Sequence, residues 1–236
     1  NLVASLFAAR RKNTAASNST IELFETANVY LPQKNQLPQQ WWMLGMTSGE
    51  DFHSVKGVVE SVAHALSPAI ELQAKRANVE LLEPAAACEL YLGETVCGFV
   101  GSVTKAGLKQ FGLRQPTTIA EVRLDLLGQQ ADFVRQQKPL SAFPAIEQDL
   151  NFVVDESILW GDLAATVREA AGALLEDVRY RETYRDPTTD GEGKKRLMFS
   201  IVLRSFESTM TSAEAEEIRS AIVSSCEKKH GARLLG

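Results

Sequence analysis

The chain has 236 residues, a hydrophobic fraction of 44% and a formal net charge of −5 at pH 7. This length suffices for one or two domains with packed cores, while the acidic balance excludes a strongly basic nucleic-acid binder. No stretch approaches the roughly 18 apolar residues that a membrane span needs. An apolar start followed by Arg10, Arg11 and Lys12 has the reverse order of a signal peptide. We therefore expect a cytoplasmic protein without membrane contacts.

The N-terminal part of the chain is predicted to be an α+β domain with an antiparallel sheet. A short helix is expected first, with Leu2, Leu6 and Ala9 on one side, followed by the polar loop KNTAASNS. The run FHSVKGVVESVAHAL predicts a second helix, because its valines recur at helical spacing. Strands are predicted at IELFETANVYL, QWWMLGMT, ANVELLE, ELYLGETVCGFVGSV and TTIAEVRLDLLG, with Pro84, Gly93 and KAGLKQFGL between the last three.

The region from Phe143 onward has the pattern of a ferredoxin-like βαββαβ unit. The strand DLNFVVD is expected to end at Gly161-Asp162, where Asp162 caps a helix. The strand LLEDVRYRETYR, the turn DPTTDGEG and the strand KKRLMFSIVLRSF then predict a hairpin. Thr211 and Glu214 form a capping box for a last helix, which His230-Gly231 ends before a short strand at ARLL.

A polar segment, DFVRQQKPLSA, separates these two patterned regions. Linkers between domains have this kind of composition, so residues 1–131 and 143–236 are predicted to be domains joined by a linker at 132–142. Charge divides unevenly between the two regions. Before Phe143 there are 13 Lys and Arg residues and 13 Asp and Glu residues, whereas from Phe143 onward there are 12 and 17, so the acidic excess lies in the second region. If RNA is bound, it must therefore be bound by a local patch of cations.

Cationic side chains on the two long strands of the second region are the candidates for such a patch. They are Arg179, Arg181, Arg185, Lys194, Lys195, Arg196 and Arg204. The alternative interpretation is a solvated sheet face, and the sequence leaves both open.

A search for catalytic motifs finds none. The chain has no GxGxxG, GxxxxGK[ST], HExxH or GxSxG sequence. Cys88, Cys97 and Cys226 lack the paired spacing of a zinc site or a disulfide framework, so buried thiols are expected. Lys56 and Glu60 are predicted to form an ion pair on a helix surface. No catalytic residue and no metal ligand is predicted.

The second region resembles the ferredoxin-fold anticodon-binding domain of the bacterial phenylalanyl-tRNA synthetase β subunit. The resemblance rests on FPAIEQDLNFVVDE, LLEDVRYRETYRD, GEGKKRLMFSIVLRS and KKHGARLLG. The first region is similar to the catalytic-like module of the same subunit, a class II synthetase fold without an active site, through LFETANVYL, VKGVVE, GFVGSV and IAEVRLDLL. Ala27-Asn28 stands where the family commonly has Gly, and Arg196 where a small Ser is usual.

The resemblance implies a function for the whole assembly. The α subunit would activate phenylalanine with ATP and Mg²⁺ and join it to tRNA(Phe), within an αβ heterotetramer. This chain would support the assembly and bind the anticodon region, with no cofactor of its own, no DNA contact and no activity alone. Rival hypotheses are a free-standing ferredoxin-like ligand- or partner-binding module and, less favoured, an acylphosphatase-like hydrolase, which would need an anion cradle near FPAIEQDL.

Tyr184 matches the tyrosine of the family's strand motif, so the resemblance implies stacking on an anticodon base. Strict alternation, however, places Tyr184 with Val178 and Tyr180, opposite Arg181 and Arg185. Either the strand bulges, or Tyr184 reaches RNA from the strand end, or it belongs to the core. We favour the strand end.

Overall fold

The first sheet of the protein has six antiparallel strands, and the second has four. The structure, a computed structural model, describes residues 1–18, 20–134 and 140–235. The chain folds into two compact units, Asn1–Gln136 and Gln137–Gly236. Part of the predicted linker, residues 135–139, lies outside the described residues, so the linker boundaries stay a prediction.

The first unit is built on the six-stranded sheet, in the order β1-β2-β6-β5-β4-β3. Its strands are β1 Leu23–Leu31, β2 Gln39–Ser48, β3 Leu72–Arg76, β4 Leu82–Leu92, β5 Thr95–Val103 and β6 Thr118–Arg123. Its helices are α1 Val3–Ala15, α2 Phe52–Leu66, α3 Lys105–Phe111 and α4 Leu124–Gly128. Alternating strand residues give the sheet two apolar faces: one packs against α2 and α4, and the other against α1.

Several predictions for the first unit are corrected. Helix α1 continues into the expected loop as far as Ala15. Its buried residues include Phe7 and Arg10, whereas Ala9, which was expected on the buried side, is exposed. ANVELLE is mostly loop, since β3 ends at Arg76 and β4 begins only at Leu82. LDLLG is helical. Pro84 lies inside β4, where the pairing with β5 is irregular between Leu82 and Ala87, so its missing N–H interrupts no regular ladder.

The second unit consists of a four-stranded sheet and two long helices. The strands are β7 Ile146–Asp155, β8 Leu175–Tyr184, β9 Lys194–Leu203 and β10 Arg233–Leu234, and the helices are α5 Trp160–Ala171, the short α6 Pro187–Asp190 and α7 Ser212–His230. The order β10-β7-β9-β8, antiparallel throughout, with α5 and α7 on one face, is the predicted βαββαβ arrangement. The α+β fold class is confirmed.

The core of this unit lies between the sheet and α5 and α7. Phe152 and Phe199 stack with ring centroids 5.9 Å apart, and Leu163 and Ile222 from the two helices are fully buried with them. The predicted apolar face of β9 is confirmed, because its residues from Leu197 to Leu203 at alternate positions are all buried.

The ends of the helices in this unit test the predicted caps. The capping box of Thr211 and Glu214 is present, and α7 ends at Gly231 in the left-handed conformation, with φ 60°. Helix α5 instead starts at Trp160. The prediction that Gly161-Asp162 ends the preceding strand and that Asp162 caps the helix is therefore wrong. The predicted turn DPTTDGEG contains the one-turn helix α6, which Asp186 caps by accepting the Thr188 N–H.

Candidate nucleic-acid interface

The sheet of the second unit has one face that α5 and α7 do not cover, which we call the open face. Along β7 and β9, core residues alternate with residues that point the other way. Asn151 on β7 and Met198 on β9 pair directly with each other, and both point away from the core. Directly paired residues project from the same side of a sheet, so the pairing register shows which side chains share the open face.

A β-bulge in β8 decides where Tyr184 points. Tyr180 pairs with the core residue Phe199, but Glu182 pairs with Met198, which leaves Arg181 as the extra residue. From Glu182 onward the alternation is therefore reversed, and Tyr184 pairs with Arg196 on the open face. Of the three alternatives, the bulge is observed and the core is wrong.

Tyr184 is also the last residue of β8, as the favoured alternative expected. Its ring is turned by the bulge, however, and not by the strand end. The residue is 51% exposed, and the guanidinium carbon of Arg196 lies 5.5 Å from the centre of its ring. Arg196 thus lies over one face of the ring, while the exposed remainder of the ring surface is open to a stacking partner.

A small cleft opens beside this ring. It has a volume of about 60 Å³ and is lined by Asn151, Glu182, Tyr184, Arg196 and Met198. The cleft therefore brings five different groups together: an aromatic ring, a thioether, a guanidinium, a carboxylate and an amide. These groups together can stack on an unpaired base and bond to its edge.

Only part of this cleft was predicted from the sequence. Tyr184 and Arg196 are among the predicted site residues, whereas Asn151, Glu182 and Met198 are not. The alternation of DLNFVVD did place Asn151 on the side away from the core, which was the available signal. Glu182 could not be placed without knowledge of the bulge.

The arginines of the predicted patch are each engaged by an acidic side chain. Arg181 donates to Glu147 at 2.9 Å and to the Ser200 hydroxyl at 2.8 Å. Arg185 donates two bonds to Glu156, at 2.7 and 3.0 Å, and these bonds raise the pKa of Arg185 above its ordinary value. The open face is therefore a surface of paired charges.

Two more arginines of the patch lie at opposite ends of β9. Arg196 donates to Asp190 at 2.6 Å, and Arg204 donates to Glu176 at 2.7 Å. At a rise of about 3.3 Å per residue, they are roughly 25 Å apart along the strand. The structure thus brings Arg196 to the cleft with Tyr184 and leaves Arg204 at the far end of the sheet.

The two lysines of the patch differ in position. Lys194 is exposed, with its ammonium 3.5 Å from Asp155. Lys195 is only 6% exposed, pairs with Val154 on the helix-covered side and donates to the Glu156 carbonyl at 2.8 Å. Lys195 therefore does not lie with Arg196 on the open face: it supports the end of β7 from the core side.

The remaining polar candidates have structural roles. Lys56 and Glu60 form the predicted ion pair. In α1 the buried Arg10 donates to the Ile21 carbonyl at 2.6 Å and to the Thr117 hydroxyl at 3.1 Å. Burial raises the pKa of Cys226 to about 11, so this thiol is protonated at neutral pH and a poor nucleophile. Within the described ranges no group of acids, histidines and cysteines could hold a metal ion.

The first unit carries a separate surface feature, an apolar groove of about 650 Å³ between α2 and strands β1 and β2. Phe24 and Val58 line it and are 76% and 53% exposed. Exposed apolar side chains that line a groove are typical of a surface that binds a ligand or another protein. No helix among the described residues is long and apolar enough to cross a membrane.

Comparisons with known proteins bear on both units. Residues 141–235 match the family model described as ferredoxin-fold anticodon binding domain, and residues 1–124 match that of the phenylalanyl tRNA synthetase beta chain CLM domain. The chain thus has the two modules of a tRNA synthetase subunit, in the order that the sequence predicts.

The chain belongs to the phenylalanyl-tRNA synthetase β chain family. It is 37% identical to the phenylalanine–tRNA ligase β subunit of Rhodopirellula baltica, over 100% of this chain and 36% of that protein. It is 29% identical to the phenylalanine–tRNA ligase β subunit of Clostridium tetani, over 98% of this chain and 30% of that protein. The chain therefore spans about a third of the length of these relatives. A pyrrolysyl-tRNA synthetase structure from Desulfitobacterium hafniense covers 54% of this chain and 47% of its own, at 15% identity and a TM-score of 0.43, too low to support an argument.

Proposed function

We propose that this chain is the C-terminal region of a phenylalanine–tRNA ligase β subunit, and that its second unit binds the anticodon region of tRNA(Phe). The observation that carries the proposal is the cleft beside Tyr184. It lies on the open face of the unit that matches an anticodon-binding domain, and it combines an exposed ring with hydrogen-bonding groups.

Stacking contributes more than charge to the affinity of the open face for tRNA. The arginines already have carboxylate partners that offset their charge, so a phosphate is attracted to them less strongly than it would be to unpaired cations. A base stacked on an aromatic ring contributes about 1 to 3 kcal/mol, which a single exposed tyrosine can supply. The residues proposed to contact tRNA are Tyr184, Arg181, Arg185, Lys194 and Arg196, with Lys195 as internal support and Arg204 at the distal end.

The contribution of the chain to catalysis is positioning. Holding the anticodon end of a tRNA fixes the placement of its reacting end, so binding energy from a remote site assists the reaction. The chemistry would reside in an α subunit that uses ATP and Mg²⁺, within a cytoplasmic αβ heterotetramer. The exposed apolar groove at Phe24 and Val58 supports a protein-contact role for the first unit.

Replacement of Tyr184 tests the proposal directly. Tyr184→Ala should weaken binding of tRNA(Phe) by about 1 to 3 kcal/mol, because the stacking surface is lost. The loss should be smaller for tRNA with an altered anticodon, and Tyr184→Phe should retain most of the affinity. Filter binding or fluorescence anisotropy measures these affinities.

Tyr30→Ala is the matched control, since Tyr30 is an exposed tyrosine of the first unit. Equal affinities of wild type and Tyr184→Ala for both tRNAs would show that the anticodon is not read at this cleft.

A further inference from the structure

The side chain of Asn151 is unusual on the open face, because its carbonyl oxygen is buried and lacks a hydrogen-bond partner. Among the described residues only three buried side-chain polar atoms are in this state: Trp41 Nε1, Gln148 Oε1 and Asn151 Oδ1. Of these, Asn151 alone lines the cleft beside Tyr184. Its oxygen is an acceptor that the fold of the unit leaves unused.

An unused buried acceptor is costly to a protein. Leaving such a group without a partner destabilises the folded state, and most buried polar atoms are accordingly bonded. The position itself does not require a polar residue, since Asn151 pairs with Met198 and a similarly shaped apolar side chain would avoid the cost. An external donor would remove the penalty.

The surroundings of Asn151 indicate what kind of donor fits. The cleft of about 60 Å³ is too small to enclose a whole base, but it can admit the edge of one that stacks on Tyr184. The nearby cation, Arg196, is held by Asp190 at 2.6 Å and by the Thr189 hydroxyl at 2.8 Å. Its Nε and Nη2 atoms are therefore already bonded to groups other than Asn151.

We propose that Asn151 is a specificity-determining residue whose Oδ1 accepts a hydrogen bond from an exocyclic amino group or ring N–H of an unstacked RNA base. The inference rests on the proposed function, since it assumes that RNA lies on the open face. An amide presents an acceptor beside a donor, so Nδ2 can bond to an acceptor on the same base edge. Tyr184 would provide affinity, and Asn151 would select the base.

Gln148 provides a matched control on the same strand. Its buried Oε1 is also without a partner, but it pairs with Ile201 and so faces the helix-covered side. If the unpaired oxygens on β7 were only a packing defect, replacement of Asn151 or of Gln148 by Leu would have the same effect on RNA binding. Only the Asn151 change should alter recognition of RNA.

The experiment uses the 236-residue chain and the anticodon stem-loop of tRNA(Phe), with versions in which single loop bases lack an amino group or ring N–H. Asn151→Leu should weaken binding of the unmodified loop roughly tenfold. At one base position, removal of the donor should weaken wild-type binding by a similar factor and Asn151→Leu binding hardly at all. Gln148→Leu should bind as wild type does, and thermal unfolding should show that both variants are folded.

Asn151→Ala serves as a second variant if Leu disturbs the sheet. Wild-type affinity of the folded Asn151 variants, together with weakened binding by Tyr184→Ala, would overturn the role of Asn151 and leave the proposed function intact. Unchanged binding by both Asn151 and Tyr184 variants would overturn both. A loss for Asn151→Leu that is equal for every modified loop would also overturn the proposal, because it would show a structural effect.

Discussion

At the scale of single residues, the candidate interface depends on charges that are already neutralised. Arg181 and Arg185 lie on or next to β8, and each donates to a carboxylate while it remains about half exposed. Exposed ion pairs of this kind contribute between zero and about 1 kcal/mol to stability, so a phosphate can replace the carboxylate at small cost. These arginines are therefore suited to a contact that forms only when RNA arrives.

This view predicts how salt affects binding. Arg181→Ala and Arg185→Ala should each lower tRNA affinity to a similar degree for every anticodon sequence, since phosphates carry no sequence information. Removing one arginine–phosphate interaction should flatten the slope of log K against log salt by about 0.7 to 0.9. Titrations over a range of salt concentrations measure the slope.

Arg219→Ala is the control for these titrations, because Arg219 lies on α7 and pairs with Glu216. A slope that is the same for all three variants and wild type would mean that the open face does not bind phosphates.

At the scale of elements, helix α7 begins with a pair of reciprocal bonds. The Glu214 carboxylate accepts the Thr211 N–H at 2.7 Å, and the Thr211 hydroxyl accepts the Glu214 N–H at 3.3 Å. The bonds to Thr211 lower the pKa of Glu214 below its ordinary value. Because the pKa is lower in the folded state, the stabilisation is present above the pKa of the unfolded state and is lost as pH falls through the folded pKa.

Two substitutions test this cap. Thr211→Ala should lower the free energy of unfolding by about 1 kcal/mol at neutral pH. Glu214→Ala should also destabilise at neutral pH, but its difference from wild type should shrink as acid protonates the carboxylate. Urea unfolding followed by circular dichroism at neutral and acidic pH measures both effects.

Glu216→Ala is the comparison on the same helix, because Glu216 is exposed and takes no part in the cap. A difference between Glu214→Ala and wild type that stayed constant down to strongly acidic pH would contradict the account.

The bulge in β8 is the element that connects the fold to the proposed recognition. One extra residue, Arg181, reverses the alternation and moves Tyr184 from the core side to the open face. Without it, Tyr184 would project beside Tyr180, which packs against Trp160 with ring centroids 5.6 Å apart. A one-residue change in register therefore decides whether the unit has an aromatic platform.

At the scale of the whole molecule, the chain is predicted to consist of two domains with a cleavable connection. Limited proteolysis should cut within 132–142 and leave a stable fragment that begins near Phe143, because each unit has a core of its own. Mass spectrometry identifies the fragment, and circular dichroism tests whether it is folded. If a cut in this segment unfolded both halves, the predicted division would be wrong.

Much of the fold was predictable from local patterns. Alternation in β9, helical spacing in α2 and the capping box of α7 are each set by residues close together in the chain, and all three are observed. Predictions of element boundaries were wrong where the local sequence was compatible with more than one structure. Gly161-Asp162 resembles a stop and a cap but lies in the first turn of α5, and Pro84 was assigned to a break although β4 accommodates it at an irregular pairing.

The candidate site was predictable only in part, for a physical reason. The family resemblance pointed to Tyr184, and the cationic residues of the predicted strand pointed to Arg196. The bulge at Arg181, the carboxylate partners of the arginines and the burial of Lys195 depend on which strands pair and in which register. Pairing joins residues far apart in sequence, so the face that Tyr184 occupies and the unpartnered oxygen of Asn151 exist only once the sheet has formed.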